Sequence, residues 1–191
     1  MTDIAAPFGL RKIRGKSSID TSAGGRTAYK AAAPAATRLV KGELAKLVPG
    51  GVVSKETGTT TALPIGVFDG FEYTDVNGKY QWSTECPSGT TADASDIVAY
   101  VADDQDSVFE IQANGTLGQN CVGMNAALVQ NAAGVFGQAK VALNAGSIAA
   151  TATLPLRIVG IDADQVGTAY PIVQVVLNTH AFKTATGNAA S

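Results

Sequence analysis

Between Pro64 and Ile111 the chain alternates short apolar runs with turn chemistry. Gly66-Val67-Phe68-Asp69-Gly70-Phe71-Glu72-Tyr73 leads through Thr74-Asp75-Val76-Asn77-Gly78-Lys79 into Tyr80-Gln81-Trp82. Ile97-Val98-Ala99-Tyr100-Val101 and Val108-Phe109-Glu110-Ile111 follow, joined by the acidic stretch Asp103-Asp104-Gln105-Asp106. β-Branched and aromatic residues in runs of this length, bounded by Gly, Asn and Asp, predict antiparallel strands, and Asn77-Gly78 is the strongest hairpin signal in the chain. Gly66 and Gly70 inside the first run predict a bulge or a close backbone approach.

The same pattern continues on both sides. In Leu44-Ala45-Lys46-Leu47-Val48, Leu44 and Lys46 face one way and Ala45 and Leu47 the other. Pro49-Gly50-Gly51 supplies a turn, Val52-Val53-Ser54-Lys55 is the return strand, and Glu56 to Thr61 is a polar loop. Cys121 to Phe136 reads as a short strand with loops, with a helical stretch through Ala126 to Ala132 as the alternative. Val141-Ala142-Leu143 is a short strand. Leu154 to Ile161 and Ile172 to Leu177 are the last two strands, joined by a polar loop from Asp162 to Tyr170. Roughly eight to ten short strands predict an all-β fold, a sandwich or a small barrel. Residues 34–185 form this body, as one unit or as two modules of about 34–116 and 117–185. Residues 1–33 form an extended N-terminal arm, and 186–191 a mobile tail.

Charge separates the arm from the body. Charged residues are sparse at 16% and the net charge is -2. Residues 1–41 hold eight Lys and Arg against Asp3 and Asp20, whereas residues 42–191 hold six basic and fourteen acidic side chains. A basic extension on an acidic body suits nucleic acid or an acidic protein surface. The arm lacks the dense alternation of aromatic and basic residues that single-strand binding uses, so a protein surface is the expected partner and nucleic acid is not. Phe8, Leu10, Arg11, Lys12, Ile13 and Arg14 mix apolar anchors with cations and are the candidate partner-binding residues. The Ser- and Gly-rich stretch after them has no periodic apolar face. The arm is therefore expected to order only when Phe8, Leu10 and Ile13 dock on something. The N-terminus lacks a signal-peptide apolar region, and no apolar run is long enough to span a bilayer.

Catalytic chemistry is not legible. His180, the single histidine, comes without a nucleophile elbow and is expected at the surface or at an interface. Asp103, Asp104 and Asp106, with Asp93 and Asp96 upstream, carry cation-binding oxygens but not the spacing of an EF-hand, and they read as a solvated turn. Gly24-Gly25-Arg26 does not complete a P-loop. Cys86 and Cys121 are too few for a disulfide framework; free thiols are expected, with a single bridge as the alternative. Tyr73, Tyr80 and Trp82 flank the hairpin and are expected to pack across strands, with a carbohydrate-stacking surface as the alternative. No enzyme, cofactor or metal is expected.

Several stretches in order carry a resemblance to a family. They are Phe8-Gly9-Leu10-Arg11; Pro64-Ile65-Gly66-Val67-Phe68-Asp69-Gly70 with Tyr73-Thr74-Asp75; Ala99-Tyr100-Val101-Ala102-Asp103-Asp104; Phe109-Glu110-Ile111-Gln112-Ala113-Asn114-Gly115; Ala152-Thr153-Leu154-Pro155-Leu156-Arg157; and Ala169-Tyr170-Pro171. Spanning residue 8 to about 182, they resemble the capsid decoration (cement, or head-stabilisation) proteins of tailed bacteriophages. The resemblance implies a β-tulip or small-barrel body. It also implies a non-enzymatic role on the outer capsid surface of the virion, after synthesis in the host bacterial cytoplasm. The implied partners are the major capsid protein, whose neighbouring subunits are clamped together, and further copies of the chain, as a homotrimer or a dimer. An extended N-terminal segment that adds a strand to the capsid is implied too. Other readings are a head fibre, a tail β-protein, or a carbohydrate-binding module using the Tyr73-Tyr80-Trp82 face.

Overall fold

The computed structural model of the protein describes residues 4–14, 25–31, 38–59, 61–85, 97–131 and 137–183. The fold is all-β: 46% of the described residues are strand, and among them helical structure is limited to isolated 3-10 turns. The described strands are β1 (Arg11–Arg14), β2 (Thr27–Lys30), β3 (Leu44–Val48), β4 (Val52–Glu56), β5 (Gly66–Thr74), β6 (Tyr80–Ser83), β7 (Val98–Ala102), β8 (Val108–Gln112), β9 (Asn125–Ala126), β10 (Leu128–Val129), β11 (Ala142–Leu143), β12 (Leu156–Ile161) and β13 (Ile172–Leu177).

These strands form two principal sheets. One runs β2-β7-β5-β3-β4, with β6 also paired to β5; the other runs β1-β8-β13-β12-β9, and β10 and β11 form a separate pair. The first sheet curls round on itself. Ala31, at the end of β2, bridges Val53 of β4 in parallel, so the two ends of the strand order meet and enclose a small barrel. Its core holds Leu39, Ala45, Val53, Ile65, Phe68, Phe71, Ile97, Ala99 and Val101, with the Phe68 and Phe71 rings 4.4 Å apart.

Phe68 and Phe71 are three residues apart, a spacing that strict alternation would send to opposite faces. Asp69 resolves the conflict as the extra residue of a bulge: Phe68 pairs with Val101 and Gly70 with Tyr100, leaving Asp69 unopposed. Both glycines of the strand also mark close approaches, as the sequence predicts. A Cβ at Gly66 would overlap the carbonyl oxygen of Ala102, and one at Gly70 would overlap the Trp82 ring.

The second core lies between the open sheet and the outer wall of the barrel. Leu44, Val67 and Ala102 turn outward from the barrel to meet Phe109, Ile111, Leu156, Ile158, Val173 and Val175. Their chain neighbours Ala45, Phe68 and Val101 point into the barrel. Period-2 alternation along β3, β5 and β7 thus serves two cores with one wall. The two cores divide the chain differently from a cut near residue 116, because β8 belongs to the open sheet. The acidic stretch Asp103 to Asp106 is therefore a crossing between sheets and not a hairpin turn. Asp104 fixes it by accepting from the Asp106 backbone N–H and the Ser107 hydroxyl.

Two expected hairpins form. Leu44 to Val48 pairs with Val52 to Glu56 across the Pro49-Gly50-Gly51 turn. The β5–β6 hairpin closes through a longer loop than a two-residue Asn77-Gly78 turn. Of these two residues only Gly78 adopts a positive φ, of 77°, and Asp75 accepts from the backbone N–H groups of Asn77 and Lys79. That loop sets the register: Tyr73 lies opposite Gln81 and Glu72 opposite Trp82.

One charge is wholly inside. Glu43 is fully buried; its carboxylate accepts the Val40 N–H at 3.0 Å and the Lys55 ammonium at 2.6 Å. Both carboxylate oxygens are thereby engaged, as a buried charge requires.

Candidate functional site

The first functional expectation is corrected by the position of the N-terminal segment. Its Phe8-to-Arg14 part docks on the chain's own body, without the partner surface that its composition implies. β1 pairs antiparallel with β8, placing Arg11 opposite Glu110 and Lys12 opposite Phe109. Leu10 is 4% exposed and belongs to the second core. The segment before it is held by main-chain bonds from the Gly9 N–H to the Val141 carbonyl (3.3 Å) and from the Leu10 N–H to the Gly42 carbonyl (2.8 Å). Gly9 has φ +78°, and a Cβ there would overlap Ala139 and the Gly42 carbonyl. The Phe8-Gly9-Leu10 sequence therefore has a local reason: only glycine lets the chain pass between residues 42 and 139. β2, also within the predicted arm, is a barrel strand. The apolar content that the sequence assigns to a partner is thus partly spent in cis.

The six predicted residues nevertheless share one place. Phe8, Leu10, Arg11, Lys12, Ile13 and Arg14 all line a groove of about 1470 Å³ between the N-terminal segment, the barrel wall and the 137–140 segment. Arg26, Lys41 and Lys140 join them, so among the described residues six basic side chains face the groove against the one carboxylate of Asp69. Arg11 is tied to Glu110 and lies 5.2 Å over the Phe8 ring. Ile13 is 41% exposed. β1 ends the strand order of its sheet, so among the described residues one of its backbone edges carries no strand. A short, strongly basic edge is the usual protection against indiscriminate pairing; it also leaves main-chain groups open to an acidic extended segment.

Asp69 anchors the barrel side of the groove. Its carboxylate accepts Lys41 Nζ at 2.7 Å and pairs with the Arg26 guanidinium. Burial pushes its pKa up, but the hydrogen bonds from Lys41 and Arg26 outweigh that, and the group stays below the ordinary carboxylate value.

A second polar and aromatic cluster lies on the outside of the barrel. Trp82 (47% exposed) rests against Gly70, with the Tyr100 ring 5.3 Å away and the Arg26 guanidinium 5.9 Å from its centroid. The hydroxyls of Tyr100 and Tyr80 both donate to Glu72. These bonds hold the carboxyl below its usual range and push the Tyr80 hydroxyl up to about 12. Tyr73, grouped with Tyr80 and Trp82 in the sequence reading, faces the barrel core, whereas Tyr100 takes its place. A two-residue turn would have put Tyr73 opposite Trp82; the longer loop shifts the register by one residue and reverses its face.

His180 is buried, not superficial, at 5% exposure. Its Nδ1 accepts the Phe182 N–H, so Nε2 carries the proton and donates to the Asp103 carbonyl at 3.1 Å. The Asp103 carboxylate accepts the Tyr29 hydroxyl at 2.7 Å. These contacts pin the C-terminal segment and β2 to the sheet crossing. Among the described residues no cluster of three or more His, Cys, Asp or Glu is placed to hold a metal ion. Cys121 is a free, half-buried thiol; Cys86, Asp93, Asp96 and the 186–191 tail lie outside the described residues. Among the described residues no helix is long and apolar enough to cross a membrane. Comparison with protein-family models, characterised proteins and solved structures returned no match.

Proposed function

We propose that the protein is a capsid decoration protein. In this reading it is non-enzymatic, binds the outer surface of a phage head, and stabilises contacts between major capsid protein subunits. The observation that carries the reading is the placement of β1. All six candidate residues gather on a basic groove beside an edge strand whose far side bears no described partner. An acidic extended segment of a capsid subunit fits there by adding a strand to β1, with main-chain hydrogen bonds giving affinity and Lys12, Arg14 and Lys140 giving the charge match. The docking site is then a preformed edge rather than a loose arm, which lowers the ordering cost of binding. Self-association into a trimer or dimer, and location on the virion, belong to the same proposal.

The test is co-sedimentation with purified expanded heads of the phage that encodes the chain. Arg14→Glu combined with Lys140→Glu changes two exposed positions of the groove and is expected to leave the melting temperature nearly unchanged while abolishing co-sedimentation. Undiminished binding of this variant would refute the groove as the capsid site. No binding of the parent protein to heads at any salt concentration would refute the capsid reading altogether.

A further inference from the structure

Tyr80, Trp82, Tyr100 and Glu72 on the outer face of the barrel line neither the groove nor either core, and Arg26 alone is shared with the groove. On β6, Tyr80 and Trp82 are two residues apart on the same face; β5 contributes Gly70 and Glu72, and β7 contributes Tyr100. Residues so spaced on a strand lie about 7 Å apart, so the two rings address more than one unit of a chain ligand. Large aromatic side chains are normally buried or packed under neighbours. Here Tyr80 is 61% and Trp82 47% exposed, and the backbone beneath Trp82 is a glycine that leaves room for the ring.

We propose that the Trp82–Tyr100–Tyr80 face is a binding site for a neutral hexopyranose oligosaccharide. The apolar C–H face of a pyranose ring covers an indole without leaving polar groups unsatisfied, while its hydroxyls need partners at the rim. Glu72 supplies carboxylate oxygens at the centre of the rim, beside two tyrosine hydroxyls that are each oriented by donation to it. Arg26, at the edge of the indole, adds guanidinium donors and is itself steadied by Asp69. A carboxylate at the centre disfavours acidic sugars. It also argues against the other common ligand of exposed tryptophan–tyrosine faces, a proline-rich peptide. Such a peptide presents carbonyl acceptors and almost no donors, and would cover the Glu72 carboxylate while offering nothing to its acceptor sites beyond the two tyrosine hydroxyls. Sugar hydroxyls donate, and Glu72 accepts.

Trp82 is the only tryptophan of the chain, so its fluorescence reports on this site alone. The full-length protein is titrated with cellohexaose, maltohexaose, chitohexaose, glucose and decaproline in parallel. At least one hexasaccharide is expected to give a saturable blue shift, with glucose at least tenfold weaker. Glu72→Gln, which keeps the side-chain shape, is expected to weaken that binding at least tenfold with an unchanged circular dichroism spectrum. Retention of the folded protein on the matching insoluble polysaccharide should be lost in Trp82→Ala. Absence of a saturable shift with every hexasaccharide, an undiminished shift in Glu72→Gln, or saturation by decaproline in place of the sugars would each overturn the proposal.

Discussion

The barrel and the open sheet are built from similar short strands yet end differently. The barrel returns on itself through Ala31 and Val53, encloses two phenylalanine rings in tilted contact, and carries its exposed chemistry on a wall. The open sheet is filled largely by aliphatic residues, borrows Leu44, Val67 and Ala102 from the barrel as its floor, and stops at β1 and β9. A closed sheet hides its backbone and can recognise only through side chains. An open one keeps main-chain groups at its margin. The two candidate surfaces follow that difference: rings and a carboxylate on the barrel wall, a basic edge on the open sheet.

Substitutions at the barrel wall, within each core and at the exposed edge test how independent the two halves are. The largest effect is expected from Lys55→Met, which leaves Glu43 charged and enclosed. Removing one partner of a buried pair costs about 3–5 kcal/mol, and urea denaturation should show loss of both sheets together, because Val40 and Glu43 sit where the cores meet. Phe71→Ala should cost about 3–5 kcal/mol and Leu10→Ala about 2–5 kcal/mol. Hydrogen exchange should separate the pair: Phe71→Ala exposes β3 and β7 first, Leu10→Ala exposes β8 and β13. Equal loss of protection in both sheets from Leu10→Ala would mean that the halves unfold as one. Gly66→Ala forces a methyl against the Ala102 carbonyl and is expected to cost about 1–3 kcal/mol by overpacking. The smallest change is Glu110→Gln at the exposed Arg11 pair, about 0.5 kcal/mol or less.

Acid should weaken the barrel side of the groove. The folded-state pKa of Asp69 is depressed, so its contribution is fully present above the ordinary aspartate value and is lost as pH falls through the folded one. Below pH of about 4 the parent should lose stability faster than Asp69→Asn when melting temperatures are compared across the same pH series.

Local pattern was enough to place most strands and the Pro49-Gly50-Gly51 hairpin, because each depends on neighbours within a few residues. Pairing over long distances was not legible. Nothing in Arg11 to Arg14 announces Val108 to Gln112 as its partner, and the runs on either side of Asp103 to Asp106 look like any hairpin while lying in different sheets. What decides both is where apolar side chains find cover, a property of the assembled cores. The six N-terminal residues were recognisable by composition. Their companions Arg26, Lys41 and Lys140 carry no local mark, since only the fold brings them to the same groove. Tyr100 was missed and Tyr73 misplaced for a single reason: one extra residue in the turn exchanges the two faces of a strand.

The pairing of β1 with β8 and of β2 with β7 also constrains the order of events at the ribosome. Each N-terminal strand needs a mate roughly 70 to 100 residues further along, so neither the barrel nor the open sheet can be completed before residue 102 has been synthesised. Contacts of such long sequence separation slow folding. For that interval the first strand lacks its mate, and the charges of Arg11, Lys12 and Arg14 disfavour pairing of that edge with a wrong neighbour.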